Sequence, residues 1–256
     1  MKLMAALLLL GLMALSCRAQ QQPPDLVATP NRPTVTNTAE TTQLGVLEIE
    51  FGISAAARQQ SLPGLLKFGL IRDVELDWGG TPWQHDASVH YAGAGDNNPG
   101  LRWRFLHQAR RRPTLTVEYA AKLPSAGTIA GSGEVDHNLT LLASKDLPLR
   151  FHVDSNLGYT WLGRRRGGFD HSWQPTATLS YALRKKWQLA MEFSGATRAN
   201  AFTPAVTQNL WAVSYALRPR LVLDSAVQFR VTGNVPRAAY LGGFTYSIAD
   251  LYHCRR

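Results

Sequence analysis

Ser155, His152 and Asp154 combine the side-chain types of a hydrolase, in which a base activates a nucleophile and an acid orients the base. Successive side chains of an extended strand point to opposite faces, so His152 and Asp154 share one face and Ser155 lies on the other. The surrounding sequence also lacks the strand-turn-helix elbow that presents a nucleophilic serine. We therefore predict no catalytic residue and no enzyme activity.

Two groups of histidines are the best candidates for a metal site. His137 follows Asp136, and His90 lies near His85 and Asp86. Imidazole and carboxylate groups bind zinc and other transition metals when several of them converge on one point. These side chains alternate between faces or stand alone, so the sequence predicts neither a metal site nor a cofactor.

The basic charge of the chain first suggests nucleic acid. Its net charge is +9 and its pI is about 9.9. The cations, however, form short clusters at predicted turns, at residues 110–112, 164–166 and 184–186, and an exported chain rarely meets nucleic acid. We expect no nucleic-acid partner, and we expect these turns to face anionic lipid headgroups or lipopolysaccharide phosphates.

Residues 1–19 have the layout of a cleaved secretory signal peptide. Lys2 precedes a short apolar run, and Ser16 and Ala19 supply small residues near a cleavage position, so the mature chain is predicted to begin near Gln20. Cys17 also admits lipidation of the N-terminus. No later run reaches the roughly 18 apolar residues of a spanning helix, so membrane insertion would have to use strands.

Alternation of apolar and polar residues dominates the rest of the chain. Residues 20–42 lack a hydrophobic period, and we expect an extended segment in the periplasm; residues 249–256 are interpreted as a C-terminal tail. Between them, period-two patterns indicate strands with one apolar face. Strands are predicted at residues 45–53, 65–78, 83–91, 101–106, 114–123, 135–145, 149–161, 173–183, 187–195, 207–217, 221–232 and 240–248.

The predicted connections alternate between long and short. Long ones are expected at 54–64, 92–100, 124–133, 163–170 and 196–204, and short ones at 79–82, 146–148, 184–186 and 218–220. Outer-membrane barrels have this asymmetry, with short periplasmic turns and longer outside loops. The sequence therefore predicts an all-β fold, a single antiparallel up-and-down transmembrane β-barrel of about twelve strands at residues 43–248.

Alternation alone does not decide whether the apolar face meets a core or lipid. Two features favour lipid: charges occupy the middle of the polar face, and aromatic residues lie near predicted strand ends, as in an interfacial girdle. The girdle residues are Trp78, Trp83, Trp161, Trp173, Trp187, Tyr215 and Tyr246, and the expected lumen-lining residues are Glu48, Glu118, Arg150, His152, Asp154, Glu192, Asp224 and Arg230.

Several motifs resemble those of one known family. They are Asn31-Arg32-Pro33-Thr34, residues 45–52 with Glu48 and Glu50, residues 93–104, and residues 116–124. The chain resembles the MetA-pathway of phenol degradation outer-membrane protein family over nearly the whole mature length. This resemblance implies a barrel that admits small, often hydrophobic or aromatic molecules and has no agreed catalytic residues.

The leading hypothesis is a passive outer-membrane channel or transporter for small, possibly hydrophobic or aromatic, molecules. Its expected partners are outer-membrane lipid, lipopolysaccharide, the barrel-assembly machinery and a small-molecule solute. A barrel whose lumen is closed by its own salt bridges stays open as an interpretation of the charged inner face. The alternative is a secreted or surface β-barrel protein that has a binding or structural role and no pore activity.

Overall fold

The computed structural model of the protein describes residues 26–126 and 132–252. The predicted signal peptide, Cys17 and Cys254 lie outside these residues. In the described part, no helix has the length and apolar character needed to cross a membrane. The strands are β1 Val46–Ala56, β2 Gln59–Ile71, β3 Val74–Asp86, β4 Tyr91–Gly93, β5 Asn97–Leu106, β6 Thr114–Lys122, β7 Asp136–Asp146, β8 Phe151–Gly163, β9 Phe169–Arg184, β10 Trp187–Ala196, β11 Val206–Arg218, β12 Leu221–Thr232 and β13 Ala238–Asp250.

The long strands form one closed antiparallel ring. Each pairs with its neighbour in the chain, and β1 closes the ring by pairing with β13 from Val46↔Asp250 to Ala56↔Ala239. The short strand β4 pairs only with the end of β3. Closure pairs the backbone groups of both terminal strands, which a sheet in lipid requires. The predicted twelve-stranded antiparallel barrel is confirmed.

Most polar side chains of the barrel lie inside and most apolar ones outside, and Leu142 and Leu210 are fully buried exceptions. Glu48, Thr116 and Glu192 are fully buried in the interior, whereas Trp211 and Phe193 on the outer face are 56% and 52% exposed. Period-two alternation produces this division because neighbouring side chains of a strand point to opposite faces. The distribution is the inverse of a soluble protein and suits a lipid-facing wall around a polar lumen.

The two ends of the barrel differ. At the short-turn end, where β1 begins, the connections are residues 72–73, 107–113, 147–150, 185–186 and 219–220. At the long-loop end they are residues 57–58, 87–96, 123–135, 164–168, 197–205 and 233–237. The predicted asymmetry holds for most connections. The exceptions are the first connection of the long-loop end, which consists of Ala57 and Arg58 alone, and residues 107–113 of the short-turn end, which are longer than residues 164–168 or 233–237.

Two predicted connections are wrong. Residues 54–56 belong to β1 and residues 59–64 to β2, so only Ala57 and Arg58 of the predicted long connection lie outside a strand, and residues 79–82 lie within β3. The true turn between β2 and β3 is Arg72-Asp73, where Asp73 has a φ of 66°. Aspartate tolerates this left-handed conformation because its short polar side chain bonds locally, whereas the paired glycines at 79–80 are accommodated in a strand.

The predicted start of β8 and the predicted end of the barrel also change. Leu149 and Arg150 have φ values of 61° and 68° in a short turn, and β8 begins at Phe151. At the other terminus, β13 continues to Asp250, beyond the expected end at residue 248. Tyr252 then packs on Phe68 and donates a hydrogen bond to the carbonyl oxygen of Leu70 (2.8 Å), so the tail begins against β2.

Candidate functional site: the occupied lumen

Residues 26–45, called the lumen segment below, enter the barrel and return to the same end. Ala28 bonds to the carbonyl oxygen of Pro219 at the short-turn end, and Gly45 bonds to that of Gly69 before β1 begins. Between these points the chain reaches the middle of the lumen around residues 32–37. The prediction that residues 20–42 lie in the periplasm is therefore wrong for the described part, because its polar backbone finds its partners inside the barrel.

Wall carboxylates accept hydrogen bonds from the backbone of the lumen segment. The amide of Thr29 donates to Glu48 (3.0 Å), that of Asn31 to Glu50 (2.8 Å) and that of Thr36 to Glu192 (2.7 Å). These glutamates are buried. Hydrogen bonds to an ionised acceptor are stronger than neutral ones, so this row of carboxylates fixes the inward leg.

Wall cations bind the carbonyl oxygens of the same segment. Lys67 donates to the carbonyl of Thr29 (2.5 Å), and Arg102 donates to that of Thr38. In the opposite direction, Arg32 of the segment reaches the wall, where it contacts Asp224 (3.4 Å) and the carbonyl of Gly242 (3.0 Å). The wall thus supplies both donors and acceptors to the backbone of the segment, as buried backbone requires, while the hydroxyls of Thr36, Thr41 and Thr42 have no partner among the described residues.

Each of the main wall cations lies between two carboxylates. Lys67 is 2.5 Å from Glu48 and 2.6 Å from Glu50. Arg102 lies 3.0 Å from Glu75 and 3.2 Å from Glu118. Buried charges persist only when they are paired and hydrogen-bonded. Each cation therefore has its counter-charge in direct contact, and each cluster of one cation and two carboxylates keeps one formal negative charge in excess.

A third cation, Arg104, is arranged in the same way nearer the mouth. Its guanidinium pairs with Asp73 (2.6 Å) and with Glu40 of the lumen segment. Burial opposes ionisation of Asp73, but hydrogen bonds from Arg104 and His107 outweigh it and hold the pKa of that carboxyl below its usual range. The turn between β2 and β3 is thereby tied to the returning leg.

Glycines give the lumen segment room to approach the wall. A Cβ at Gly69 would lie 2.1 Å from the carbonyl oxygen of Gln43, and one at Gly52 would lie 2.3 Å from the guanidinium of Arg32. Neither distance is possible for a real side chain. A residue without a side chain is therefore needed at both positions, because the lumen segment passes directly over them.

The expected lumen residues divide into three groups. Glu48, Glu192 and Asp224 contact the lumen segment directly, and Glu118 contacts it through Arg102. Lys67 and Arg102, absent from the expected set, complete this cluster, although alternation with exposed Leu66 and Trp103 could have placed them on the inner face.

The second group lines the mouth at the short-turn end. His152 lies between Asp146 (2.7 Å) and Asp154 (3.1 Å), and Asp154 accepts a bond from Ser144 (2.5 Å). Arg150 lies in the exposed turn before β8. Ser155 donates instead to the carbonyl of Thr176 on β9, so the three hydrolase-type side chains do not converge.

Arg230 forms the third group, at the opposite end. Its guanidinium donates to the carbonyl of Val235 (2.9 Å) in the 233–237 connection. Of the candidate metal ligands, His137 bonds to the hydroxyl of Tyr119 (2.7 Å) and His85 stacks on Trp83. In the described residues, no group of three or more His, Cys, Asp or Glu side chains could hold a metal ion.

Aromatic side chains cluster towards both ends of the outer face. At the short-turn end, Trp187 contacts Tyr215 (4.6 Å between ring centroids) and Arg220 lies over Tyr246. Trp161 and Trp173 both contact Tyr159 towards the long-loop end. Trp78 and Trp83 differ from expectation, because the correct turn at 72–73 places both inside β3.

Open space remains on both sides of the lumen segment. The mouth of the short-turn end holds a cavity of about 1260 Å³, and the mouth of the long-loop end holds one of about 520 Å³. A third cavity of about 360 Å³, called the inner chamber below, lies over the tip of the segment at Val35 and Asn37. The segment, with buried wall side chains such as Lys67 and Arg102, thus separates the open spaces at the two mouths.

Solved structures with this fold are outer-membrane porins and channels. The COG4313 outer membrane channel from Pseudomonas putida F1 matches with a TM-score of 0.64 at 12% identity, covering 89% of this chain and 99% of that one. The NanC porin matches with a TM-score of 0.58 at 9% identity, covering 79% of this chain and 100% of that one. The KdgM porin matches with a TM-score of 0.56 at 10% identity, covering 79% of this chain and 99% of that one.

The sequence itself matches a family along most of its length. No curated protein matches the chain. The sequence profile of the MetA-pathway of phenol degradation family, however, matches residues 30–248, from the lumen segment to the last strand. The chain therefore belongs to the MetA-pathway of phenol degradation family.

Proposed function

We propose that this protein is a passive outer-membrane channel for small molecules, whose passage is limited by the lumen segment. The observation that carries the proposal is a closed barrel with a polar interior, hollow at both mouths and obstructed by a segment held only by hydrogen bonds and ion pairs. Such contacts can break and re-form, unlike a covalent closure. Fold likeness to porins supports the same class of function.

The location and partners form part of the proposal. The lipid-facing wall is expected in an outer membrane, reached through a cleaved signal peptide and inserted by the barrel-assembly machinery. Basic side chains at both ends, such as Arg165 and Lys185, would face lipopolysaccharide phosphates and phospholipid headgroups. The short turns would face the periplasm, as in other outer-membrane barrels.

The family resemblance extends the proposal to small hydrophobic or aromatic solutes. A direct test is the conductance of the purified full-length mature protein in planar bilayers, followed by uptake of an aromatic and a polar solute into proteoliposomes. Discrete conductance steps and solute uptake are expected. A correctly folded barrel, shown by heat-modifiable migration on a gel, that is silent in both assays would contradict the channel.

A second candidate is a surface barrel with a binding or structural role and no pore activity. The observation that favours it is the degree to which the segment is bonded to the wall, including buried ion pairs on each side. The pairs Lys67–Glu48 and Arg102–Glu75 belong to the wall, and the segment bonds to them through the backbone of Thr29 and Thr38. The same two measurements separate the candidates. A folded, membrane-inserted barrel without conductance supports this one.

A further inference from the structure

The inner chamber has a wall of amides and hydroxyls drawn from many strands. Its floor is Val35 and Asn37 at the tip of the lumen segment. Its volume, about 360 Å³, falls within the range of small-molecule sites. The polar side chains of its wall are Glu118, Asn138, Thr140, Asn156, Gln174, Thr176, Ser194 and Gln208.

Part of this wall is pre-organised by internal hydrogen bonds. The amide of Asn138 donates to Thr160 (2.7 Å) and to the side-chain oxygen of Gln174 (3.3 Å), and Thr140 donates to Asn138 (2.6 Å). These bonds fix the orientation of two amides without using all their capacity. The NH₂ group of Gln174 is left to donate into the chamber.

Other polar atoms of the wall lack partners among the described residues. The hydroxyl of Thr176 is buried, with the residue 9% exposed, and has no hydrogen-bond partner there. The side chain of Gln208 likewise makes no hydrogen bond within the described part of the chain. The amide of Gln208, which is partly exposed, can therefore bond to a molecule in the chamber, whereas the hydroxyl of Thr176 has no accessible surface through which to do so.

The chamber carries little net charge. Glu118 is the one ionisable residue of its wall within the described residues, and its carboxylate pairs with Arg102 (3.2 Å). Neighbouring Glu192 is occupied by the backbone of Thr36 and by Thr178 (3.2 Å). An anionic solute would lose hydration here and meet only carboxylates, and a cationic one would meet carboxylates that already bond to Arg102, Thr36 and Thr178. An uncharged solute would exchange water for amides and hydroxyls.

We propose that the inner chamber is a binding site for uncharged solutes that carry several hydroxyl or amide groups and are about the size of a hexose. This inference rests on the proposed channel function, and it replaces the hydrophobic or aromatic solutes that the family resemblance suggests with a polar, uncharged class. Because Asn37 forms part of the floor, a bound solute contacts the tip of the segment that obstructs the lumen. The aromatic side chains of the outer face do not line this chamber.

The test compares probes of one size and different charge. Full-length protein in liposomes is challenged with glucose, gluconate and glucosamine, and swelling rates are measured beside the conductance in KCl. Glucose is expected to enter faster than either ion. The double variant Gln174→Leu with Gln208→Leu removes two hydrogen-bonding groups and should slow glucose by about five- to tenfold while KCl conductance stays measurable.

A gain-of-function variant and a matched control complete the experiment. Gln174→Lys places a cation in the chamber and should raise the gluconate rate relative to glucose. Gln60→Leu removes an amide from the long-loop mouth, outside the chamber, and should leave the glucose preference unchanged. Equal rates for the three probes, or a preference that survives the double variant, would overturn the inference. Absence of any conductance would instead overturn the proposed channel function.

Discussion

The ammonium group of Lys67 lies 2.5 Å from the carboxylate of Glu48, and both side chains are fully buried inside the barrel. The two residues face each other on neighbouring strands, since Glu48 on β1 is paired with Lys67 on β2. Both also bond to the backbone of Thr29. A single cross-strand pair thus joins the wall and the lumen segment.

Replacing this cation is the first prediction. Lys67→Met leaves Glu48 and Glu50 buried without their counter-charge and should reduce the free energy of unfolding by about 3–5 kcal/mol, the loss that accompanies breaking a buried pair. Urea titration of the protein in detergent, followed by heat-modifiable migration, measures the change.

Lys186→Met serves as the matched control, because Lys186 lies in an exposed turn. Its ammonium makes a long hydrogen bond to the carbonyl of Leu217 (3.4 Å) and lies 5.9 Å from the ring centroid of Tyr215, and among the described residues it has no buried ion pair. Its stability should be close to that of the wild type. Unfolding of Lys67→Met at the same urea concentration as this control would mean that the pairing of Lys67 with Glu48 and Glu50 does not stabilise the barrel.

A methyl group at Gly69 is the second prediction. The Cβ would lie 2.1 Å from the carbonyl oxygen of Gln43, so Gly69→Ala must displace the returning leg of the lumen segment. We expect a stability loss of about 1–3 kcal/mol, as in other overpacked sites, together with larger conductance steps in planar bilayers. Gly79→Ala, whose Cβ meets nothing closer than 3.6 Å, should change neither.

The barrel could be predicted from the sequence because lipid and lumen impose opposite chemistry on alternate residues. Strands such as β8 and β12 carry the pattern through many residues, and their predicted and observed ranges nearly coincide. The pattern fails at β2 and β3, where polar or glycine residues such as Gln60 and Gly79 continue a strand. Backbone pairing, not side-chain hydrophobicity, determines the structure there.

The course of the lumen segment could not be predicted in the same way. Residues such as Thr29, Asn31 and Thr36 bind the wall mainly through backbone amides, which every sequence possesses. No periodicity records such contacts. The small residues beneath the segment, such as Gly69, become informative only when the chain that crosses them is known.

The pH dependence of stability provides the third prediction. The pKa of Asp73 is lower in the folded protein than in the unfolded chain, where it is about 3.9. Its contribution is therefore fully present above the unfolded value and disappears as pH falls through the lower folded value. Asp73→Asn, which keeps a residue tolerant of positive φ, should be less stable than wild type at pH 7.

Acid titration of the two proteins supplies the measurement. The stability difference between wild type and Asp73→Asn should shrink as pH drops below about 4 and vanish once Asp73 is protonated in both states. A difference that is constant from pH 7 to strongly acidic conditions would mean that the charge of Asp73 does not stabilise the turn through Arg104 and His107.

A reversible cross-link tests whether the lumen segment must move for solutes to pass. The amide of Ala39 donates to the hydroxyl of Ser144 (2.7 Å), so the two backbones are neighbours. Ala39→Cys with Ser144→Cys, in a Cys254→Ser background, should form a disulfide if the Cβ atoms reach the usual separation of about 3.8 Å. Oxidation would tether the returning leg to β7, and we expect smaller conductance steps and slower solute uptake.

Reduction should restore both the conductance and the uptake, while each single cysteine variant should respond to neither oxidation nor reduction. Because the oxidised and reduced samples are the same molecules, a folding defect would affect both. Equal conductance before and after reduction, with the disulfide verified by mass spectrometry, would mean that solutes pass a fixed segment through the space that its contacts leave open.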